Sequence, residues 1–343
     1  MVLDGSVAVE SEPVGHGGES ELALDDVGIV RFAAIDLEDP EQAEVHCVRL
    51  LAEDIVHEGY PSMQQSVVIT GCSAGAGHAA AMLMACEGWQ VFAAVRNAAD
   101  AERLEEEAQG SLHAVLCDVR DRDQVFAAAE TVAKHLGDRG LDGLVCNAGV
   151  GASGPIEFLD HEEMSTPVEV NLYGSIYCAQ AFLPLLRRAR GRIVNVTSGS
   201  VLLTMPLMST YPASKIGVEL ISRQLQAEVE RFGIHVCVLD PGHIKSRMTQ
   251  SAAKASDAAR AKLPAVANEL YGDLLDRMAQ LSRDMEGSGK EPEEVARVYL
   301  RALTEPKPRA FYTVGSDAKW LRRLSRFLPP SARQRIVDRI MTG

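Results

Sequence analysis

Residues 66–96 read SVVITGCSAGAGHAAAMLMACEGWQVFAAVR. A short β-branched run ends at Thr70, a glycine-rich turn follows from Gly71 to Gly77, a small-residue helical pattern comes next, and QVFAAV resumes the apolar run. Two fully apolar strands joined by a helix need a crossover connection, which makes them parallel neighbours covered on both faces. Glycines between the first strand and its helix permit a tight turn and close backbone approach. The helix N-terminus then offers free amides and the positive end of its dipole to an anion such as a pyrophosphate.

The same alternation continues outward from this unit. AVLCDV (114–119), GLVCNAG (143–149), RIVNVTS (192–198), HVCVLDPG (235–242) and RAFYTVG (309–315) are further strands, each separated from the next by helical text. About seven parallel strands with helices between them predict a doubly wound α/β sheet of Rossmann type, with helices on both faces.

The chain has 343 residues with 46% hydrophobic and 24% charged side chains, enough for a sizeable core without metal or cross-links. Its net charge of −14 opposes broad nucleic-acid binding, so no nucleic-acid partner is expected. That charge is unevenly placed: residues 1–60 hold 15 acids against Arg31 and Arg49, leaving the body nearly neutral. Cysteines 47, 72, 86, 117, 146, 178 and 237 form no CxxC and sit mostly in apolar runs, as unpaired thiols of a reducing compartment do. No apolar run reaches membrane-spanning length, and the acidic start lacks the pattern of a signal peptide, so a cytoplasmic location is expected.

Three regions follow. Residues 1–62 are an acidic N-terminal extension, solvated up to about residue 25; GIVRFAAID (28–36) can form a strand and EQAEVHCVRLLAEDIVHEG (41–59) an amphipathic helix, and Met63 is an alternative start. Residues 63–318 form the α/β body, in which 245–290 breaks the alternation and is placed to be a lid over a pocket. Residues 319–343 form a basic amphipathic tail with seven Lys or Arg against Asp338, interleaved with Trp320, Leu321, Leu324, Phe327 and Leu328. A peripheral membrane contact, a helix closing the pocket and a helix joining subunits are the three readings of this tail.

Chemistry concentrates late in the body. Tyr211 and Lys215 are an i, i+4 pair on one helical face, where an ammonium near a phenol favours phenolate and lowers its pKa towards working pH. Ser198 ends a strand thirteen residues upstream, with Thr197 and Ser200 as neighbouring hydroxyls. After the second strand, Val95-Arg96 offers an apolar residue and a guanidinium where an acid would bind an adenosine 2′-hydroxyl, which suits a 2′-phosphate. Ser73 is placed to add a hydrogen bond there; Ala74 stands where a second basic residue would strengthen this preference. The histidines show no paired metal-ligand spacing and no metal is expected. His78 fits a phosphate contact or a plain helix surface, and His243 a cofactor or substrate contact.

With GxxxGxG at Gly71, Gly75 and Gly77, Asp118 after the third strand, Asn147-Ala148-Gly149 after the fourth, Asn171 in VEVNLYG, Ser198, Tyr211-Pro-Ala-Ser-Lys215 and Pro241-Gly242, the chain resembles the short-chain dehydrogenase/reductase family from about Gln65 to Gly315. CNAGVGASGPIEFL, PVEVNLYG, FGIHVCVLDPG and PEEVARVYLRALTEPKPRAFYTVGSDAKWL narrow the resemblance to the branch of retinol dehydrogenases, 17-beta-hydroxysteroid dehydrogenases and D-3-hydroxybutyrate dehydrogenase. The resemblance implies an oxidoreductase interconverting hydroxyl and carbonyl groups on a lipophilic molecule, with NADP(H) preferred and NAD(H) as the alternative. It makes Ser198 the group that bonds the substrate oxygen and Tyr211 the group that exchanges the proton. Lys215 binds the nicotinamide ribose, and Asn171 holds a water on Lys215. Cofactor contacts are implied for Thr70, Gly71, Ser73, Gly75, Ala76, Gly77, Arg96, Asp118, Val119, Asn147, Ala148, Gly149, Tyr211, Lys215, Pro241, Gly242, Ile244 and Ser246. Met205 and Met208 line the substrate pocket beside Ser198 and Tyr211, and a homodimer or homotetramer is implied. The alternatives are a dehydrogenase of a small hydroxy acid and a dinucleotide-binding sensor or scaffold without turnover.

Overall fold

The computed structural model describes residues 64–343 except 109, 204, 246–259, 286–287, 326 and 343. The N-terminal extension lies outside the described residues, as do Cys47 and Ser246. Seven strands, β1 (Ser66–Thr70), β2 (Gln90–Val95), β3 (Leu112–Leu116), β4 (Gly143–Cys146), β5 (Arg192–Val196), β6 (His235–Asp240) and β7 (Phe311–Thr313), form one parallel sheet in the order β3-β2-β1-β4-β5-β6-β7. Helices α1 (Gly75–Cys86), α2 (Ala98–Glu107), α3 (Arg122–Leu136), α4 (His161–Pro167), α5 (Gly174–Ala189) and α6 (Tyr211–Val229) connect the first six strands, with short irregular turns between. Helix α7 (Ala265–Met285) and α8 (Pro292–Thr304) precede β7, and α9 (Ser316–Ser325) and α10 (Pro330–Thr342) follow it.

Alternation along each strand distributes the core to two sides. Val67 and Ile69 of β1 pack with Met84 of α1 and Tyr299 and Leu303 of α8, while Val68 between them packs with Val132 of α3 and Phe182 and Leu186 of α5. Side chains of period 2 on a sheet covered twice give this division, and it explains why the strands read as unbroken apolar runs. The third strand begins two residues earlier than its apolar run: Leu112 and His113 pair with β2, whereas the chain leaves the sheet at Cys117. The departure is fixed by Asp118, whose carboxylate accepts from Arg120 N (3.0 Å) and whose amide donates to Gln124 (3.1 Å).

The strand order reverses between β1 and β4, so the connections after these strands run to opposite faces and open a crevice at their carboxyl ends. Thr70-Gly71, Asp118, Asn147-Ala148-Gly149, Ser198 and Pro241-Gly242 all lie at this edge of the sheet, at or just past the carboxyl ends of β1, β3, β4, β5 and β6. The two ends of segment 245–290 are tied together: Lys245 N donates to Lys290 O and Lys290 N to His243 O, both at 2.9 Å, and α7 lies between. The boundary drawn at 318/319 falls inside α9, so the tail begins within an element that also belongs to the body. The cysteines among the described residues are unpaired, and all but Cys86 are buried. No helix among the described residues is long and apolar enough to cross a membrane.

Candidate active site

The turn after β1 is built for close backbone approach. Gly71 has φ +73°, and a Cβ there would lie 2.9 Å from Ala148 Cα; at Gly77 a Cβ would lie 2.4 Å from both Gly71 O and Asn147 Nδ2. Asn147 locks the turn by donating to Thr70 O (2.9 Å) and Gly71 O (3.2 Å), and Ala148 N donates to Thr70 Oγ1 (3.0 Å). Helix α1 then starts with Ala74 at its N-cap, with no side-chain cap and no acid in its first turn. By contrast α2 and α3 are capped by Asn97 and Asp121. Gly75, Ala76 and Gly77 therefore leave amides and dipole open to an anionic group, and this uncapped, acid-free helix N-terminus fits the pyrophosphate of a dinucleotide.

Ser198 caps the short turn Gly199–Val201 after β5, its Oγ accepting from Ser200 N (3.2 Å), and its side chain acts on the Tyr211 phenol. Of the alternative hydroxyls, Thr197 points away to donate to Glu219 Oε1 (3.0 Å), and Ser200 Oγ finds no partner among the described residues. Lys215 is buried one turn into α6 and donates to Val196 O (2.9 Å). Burial lowers its ammonium from 10.5 to about 8. The Tyr211 phenol is held above its ordinary value, first by burial and then by the Asp240 carboxylate, while Ser198 works in the opposite direction. This differs from the lowering read from the i, i+4 spacing, because burial is the largest influence on the phenol and the Lys215 ammonium donates to Val196 O.

Asn171 lies in a π-turn, Val168–Tyr173, that follows Pro167 between α4 and α5. Such bulges rotate a side chain out of the regular helical position and are common at functional sites. The result is a buried amide whose Oδ1 accepts from Val150 N (2.8 Å) and whose Nδ2 donates to Val150 O (3.0 Å) and Ser214 Oγ (2.9 Å). A Cβ on Gly149 would lie 3.3 Å from both Asn171 Oδ1 and Lys215 Nζ, so these two groups face the same backbone. Pro241-Gly242 follows β6; Gly242 has φ +65° and its amide donates to Asp240 Oδ1 (3.0 Å). Ile244 forms an isolated parallel bridge with Lys290.

At the far end of the crevice Arg96 is exposed just past β2, and its charge helps to hold the Asp118 carboxyl below its ordinary value, where the bonded Arg120 has the larger effect. Val119 is buried against Gly174. Arg103 of α2 donates to Ser73 O (2.8 Å), which ties the glycine turn to the segment after Arg96. Tyr299 of α8 donates to Asn147 Oδ1 (3.0 Å). The motifs give no sign of Arg103 or Tyr299, which reach the turn from elements distant in sequence. His78 is engaged by Glu107 (2.6 Å), and His243 Nε2 lies 3.2 Å from Met285 O at the end of α7.

The loop before Tyr211 is held under backbone strain: Leu207 and Ser209 have φ +61° and +52°. Gly154 N donates to Leu207 O (2.9 Å) and Tyr211 N to Met208 O (3.2 Å), and Met205 and Met208 in this loop are half-buried. Helix α7 is tied on two sides, by Tyr271 Oη donating to Glu157 (2.7 Å) and by Arg277 donating to Ile340 O of α10 (2.7 Å). Among the described residues no group of three or more His, Cys, Asp or Glu could hold a metal ion.

A family model described as short chain dehydrogenase matches residues 65–257. Retinol dehydrogenase 5 of Homo sapiens is 35% identical over 292 residues, covering 83% of this chain and 90% of that protein. The 17-beta-hydroxysteroid dehydrogenase type 6 of Homo sapiens is 35% identical over 80% of this chain and 87% of its own length. An NADPH-dependent 3-dehydrocapnine reductase of Ornithobacterium rhinotracheale is 30% identical over 80% and 94%. A crystal structure of a short-chain dehydrogenase from Streptomyces avermitilis superposes with TM-score 0.64 at 23% identity, covering 78% of this chain and 94% of that one. The motif that ends each strand, the crevice they share and these likenesses have one explanation: the chain belongs to the short-chain dehydrogenase family of NAD(P)-binding oxidoreductases acting on CH–OH groups, in the branch of the retinol and hydroxysteroid dehydrogenases.

Proposed function

We propose that the protein is an NADP(H)-dependent oxidoreductase that interconverts a hydroxyl and a carbonyl on a lipophilic small molecule, with Tyr211 as the proton-exchanging group. The observation that carries this reading is the convergence of Lys215 Nζ and Asn171 Oδ1 on the Gly149 backbone, with Ser198 at the end of β5 acting on the Tyr211 phenol that opens α6. Ser198 orients the substrate oxygen. In reduction the Tyr211 phenol gives its proton to that oxygen, and in oxidation the phenolate takes it back. Bound nicotinamide supplies or accepts the hydride. Lys215 binds the nicotinamide ribose and, once turned from Val196 O towards it, favours the phenolate; Asn171 holds a water on the Lys215 ammonium. Thr70, Gly71, Ser73, Gly75, Ala76, Gly77, Asn147 to Gly149, Pro241, Gly242, Ile244 and Ser246 hold the dinucleotide. Arg96, with Ser73, takes the 2′-phosphate, and Asp118 and Val119 flank the adenine.

The lipophilic substrate is supported by the retinol and hydroxysteroid dehydrogenase relatives and by the half-buried Met205 and Met208 in the loop before Tyr211. The 245–290 segment closes over it as a lid. Two copies pair through α5 and α6. The support is a groove of about 310 Å³ between these helices and a face that exposes Tyr173, Ile216, Leu220 and Ile221. Trp320 and Phe327, 65% and 80% exposed among basic residues, support a peripheral membrane contact through the tail of an otherwise cytoplasmic enzyme.

The test is oxidation of NADPH and NADH by purified protein with a panel of retinals, ketosteroids, acetoacetate and medium-chain ketones. Turnover with NADPH on a lipophilic carbonyl, lost in Tyr211→Phe while NADPH still binds, is the expected result. Undiminished turnover in Tyr211→Phe would refute the assignment of the proton step.

A further inference from the structure

Behind Ser198 lies a set of buried charges that the proposed proton step does not use. Arg322 of α9, its side chain 14% exposed, donates through one terminal nitrogen to Glu219 Oε1 (2.9 Å) and Asp240 Oδ2 (3.3 Å), and through the other to Glu219 Oε2 (3.4 Å). Its guanidinium carbon lies 3.8 Å from the centre of the Phe311 ring. Each partner is attached to a different part of the site. Glu219 stands one turn beyond Lys215 on α6 and accepts from Thr197, the residue before Ser198; Asp240 ends β6, accepts from Gly242 N and acts on the Tyr211 phenol. One side chain from the C-terminal region thus bridges the strand end that carries Ser198, the helix that carries Tyr211 and Lys215, and the turn at Pro241-Gly242.

We propose that Arg322 is a positioning residue of the catalytic centre, holding these three elements in one register and neutralising the Asp240 charge that Tyr211 faces. Stability alone is a poor reason for the arrangement, since a buried ion cluster contributes little more than apolar side chains of similar volume. What apolar packing cannot supply is a forked donor that reaches two carboxylates at once. The groups that face Asp240 are Arg322 from α9, Glu219 and Tyr211 from α6 and the Gly242 amide; those that act on Tyr211 are Ser198 from the end of β5 and Asp240 from the end of β6. With Arg322 removed, Asp240 and Glu219 are left as two buried carboxylates without a cation, and Tyr211 ionises against an uncompensated charge.

The inference rests on Tyr211 as the proton-exchanging group, and its test reads the phenol without requiring turnover. The Tyr211 ionisation is followed in the full chain by ultraviolet difference titration, each variant against its own Tyr211→Phe counterpart. Arg322→Met is expected to move the titration up by about one pH unit, and Arg322→Met with Asp240→Asn to bring it back to or below the parent. Arg322→Lys, which keeps the charge and loses the fork, moves it in the same direction by less, and serves alone if Arg322→Met does not fold. Titrations that superpose on the parent in folded variants would overturn the proposal, whereas a purely structural role would change the unfolding midpoint and leave the titration in place. Absence of turnover in the parent would count against the proposed function and leave this titration decisive for Arg322.

Discussion

Gly77→Ala separates two opposed effects at the cradle. On helix propensity alone alanine is better than glycine by about 1 kcal/mol, and the substitution would stabilise α1. The new Cβ, however, would sit 2.4 Å from Gly71 O and 2.4 Å from Asn147 Nδ2, where ordinary contact begins at 3.4 Å. The turn or the asparagine has to retreat by roughly 1 Å, a degree of overpacking that costs about 1–3 kcal/mol. The bonds from Asn147 to Thr70 O and Gly71 O are strained or lost in the process. They contribute about 0.5–1.5 kcal/mol each. Overpacking wins, with a net destabilisation of about 2–4 kcal/mol and a fall in Tm of roughly 5–12 °C for a domain of this size. Thermal unfolding by circular dichroism measures the fall. A fluorescence titration with NADPH is expected to show affinity weakened by at least about tenfold, because the displaced backbone is the surface offered to the cofactor. A midpoint at or above that of the parent, with NADPH affinity unchanged, would refute the close-packed cradle.

Three further outcomes follow from the same geometry. Arg96→Ala is expected to weaken NADPH binding by about 10- to 100-fold, as for loss of a charge-assisted bond, and NADH binding by less than about threefold; equal losses would contradict the phosphate role. Lys215 is lowered by burial from 10.5 to about 8, so between these values the unfolded chain holds a proton that the folded chain has released. Stability therefore rises with pH across that window, by about 3 kcal/mol in total, and denaturant unfolding at both ends should show the rise in the parent but not in Lys215→Met. Leu220→Glu, placing a charge on the exposed face of α6, should shift sedimentation from an associated species to a monomer, and a parent already monomeric at micromolar concentration would count against the pairing.

The sheet and the outline of the site were legible because they depend on short stretches of chain. Continuous apolar runs report burial on both faces, glycines at 71, 75 and 77 report a turn that only backbone can fill, and the i, i+4 spacing of Tyr211 and Lys215 places both on one helical face. Preference for Ser198 over Thr197 and Ser200 was likewise a matter of local spacing.

Tertiary structure decided what depends on which distant side chains arrive. The direction of the Tyr211 shift could not be read from its helix: burial is its largest cause, the charge acting on the phenol belongs to Asp240 at the end of β6, and the Lys215 ammonium donates to Val196 O. The π-turn that buries Asn171 takes its purpose from Val150 and Ser214, which lie on other elements. Arg322 stands 82 and 103 residues from Asp240 and Glu219, and in sequence it is one of seven basic residues in an amphipathic tail. Periodicity assigns such an arginine to a solvated face. Its burial between two carboxylates appears only when α9 packs across the ends of β5 and β6, because Coulomb and hydrogen-bond terms act through space over a few ångströms and leave no trace in the local pattern of the chain.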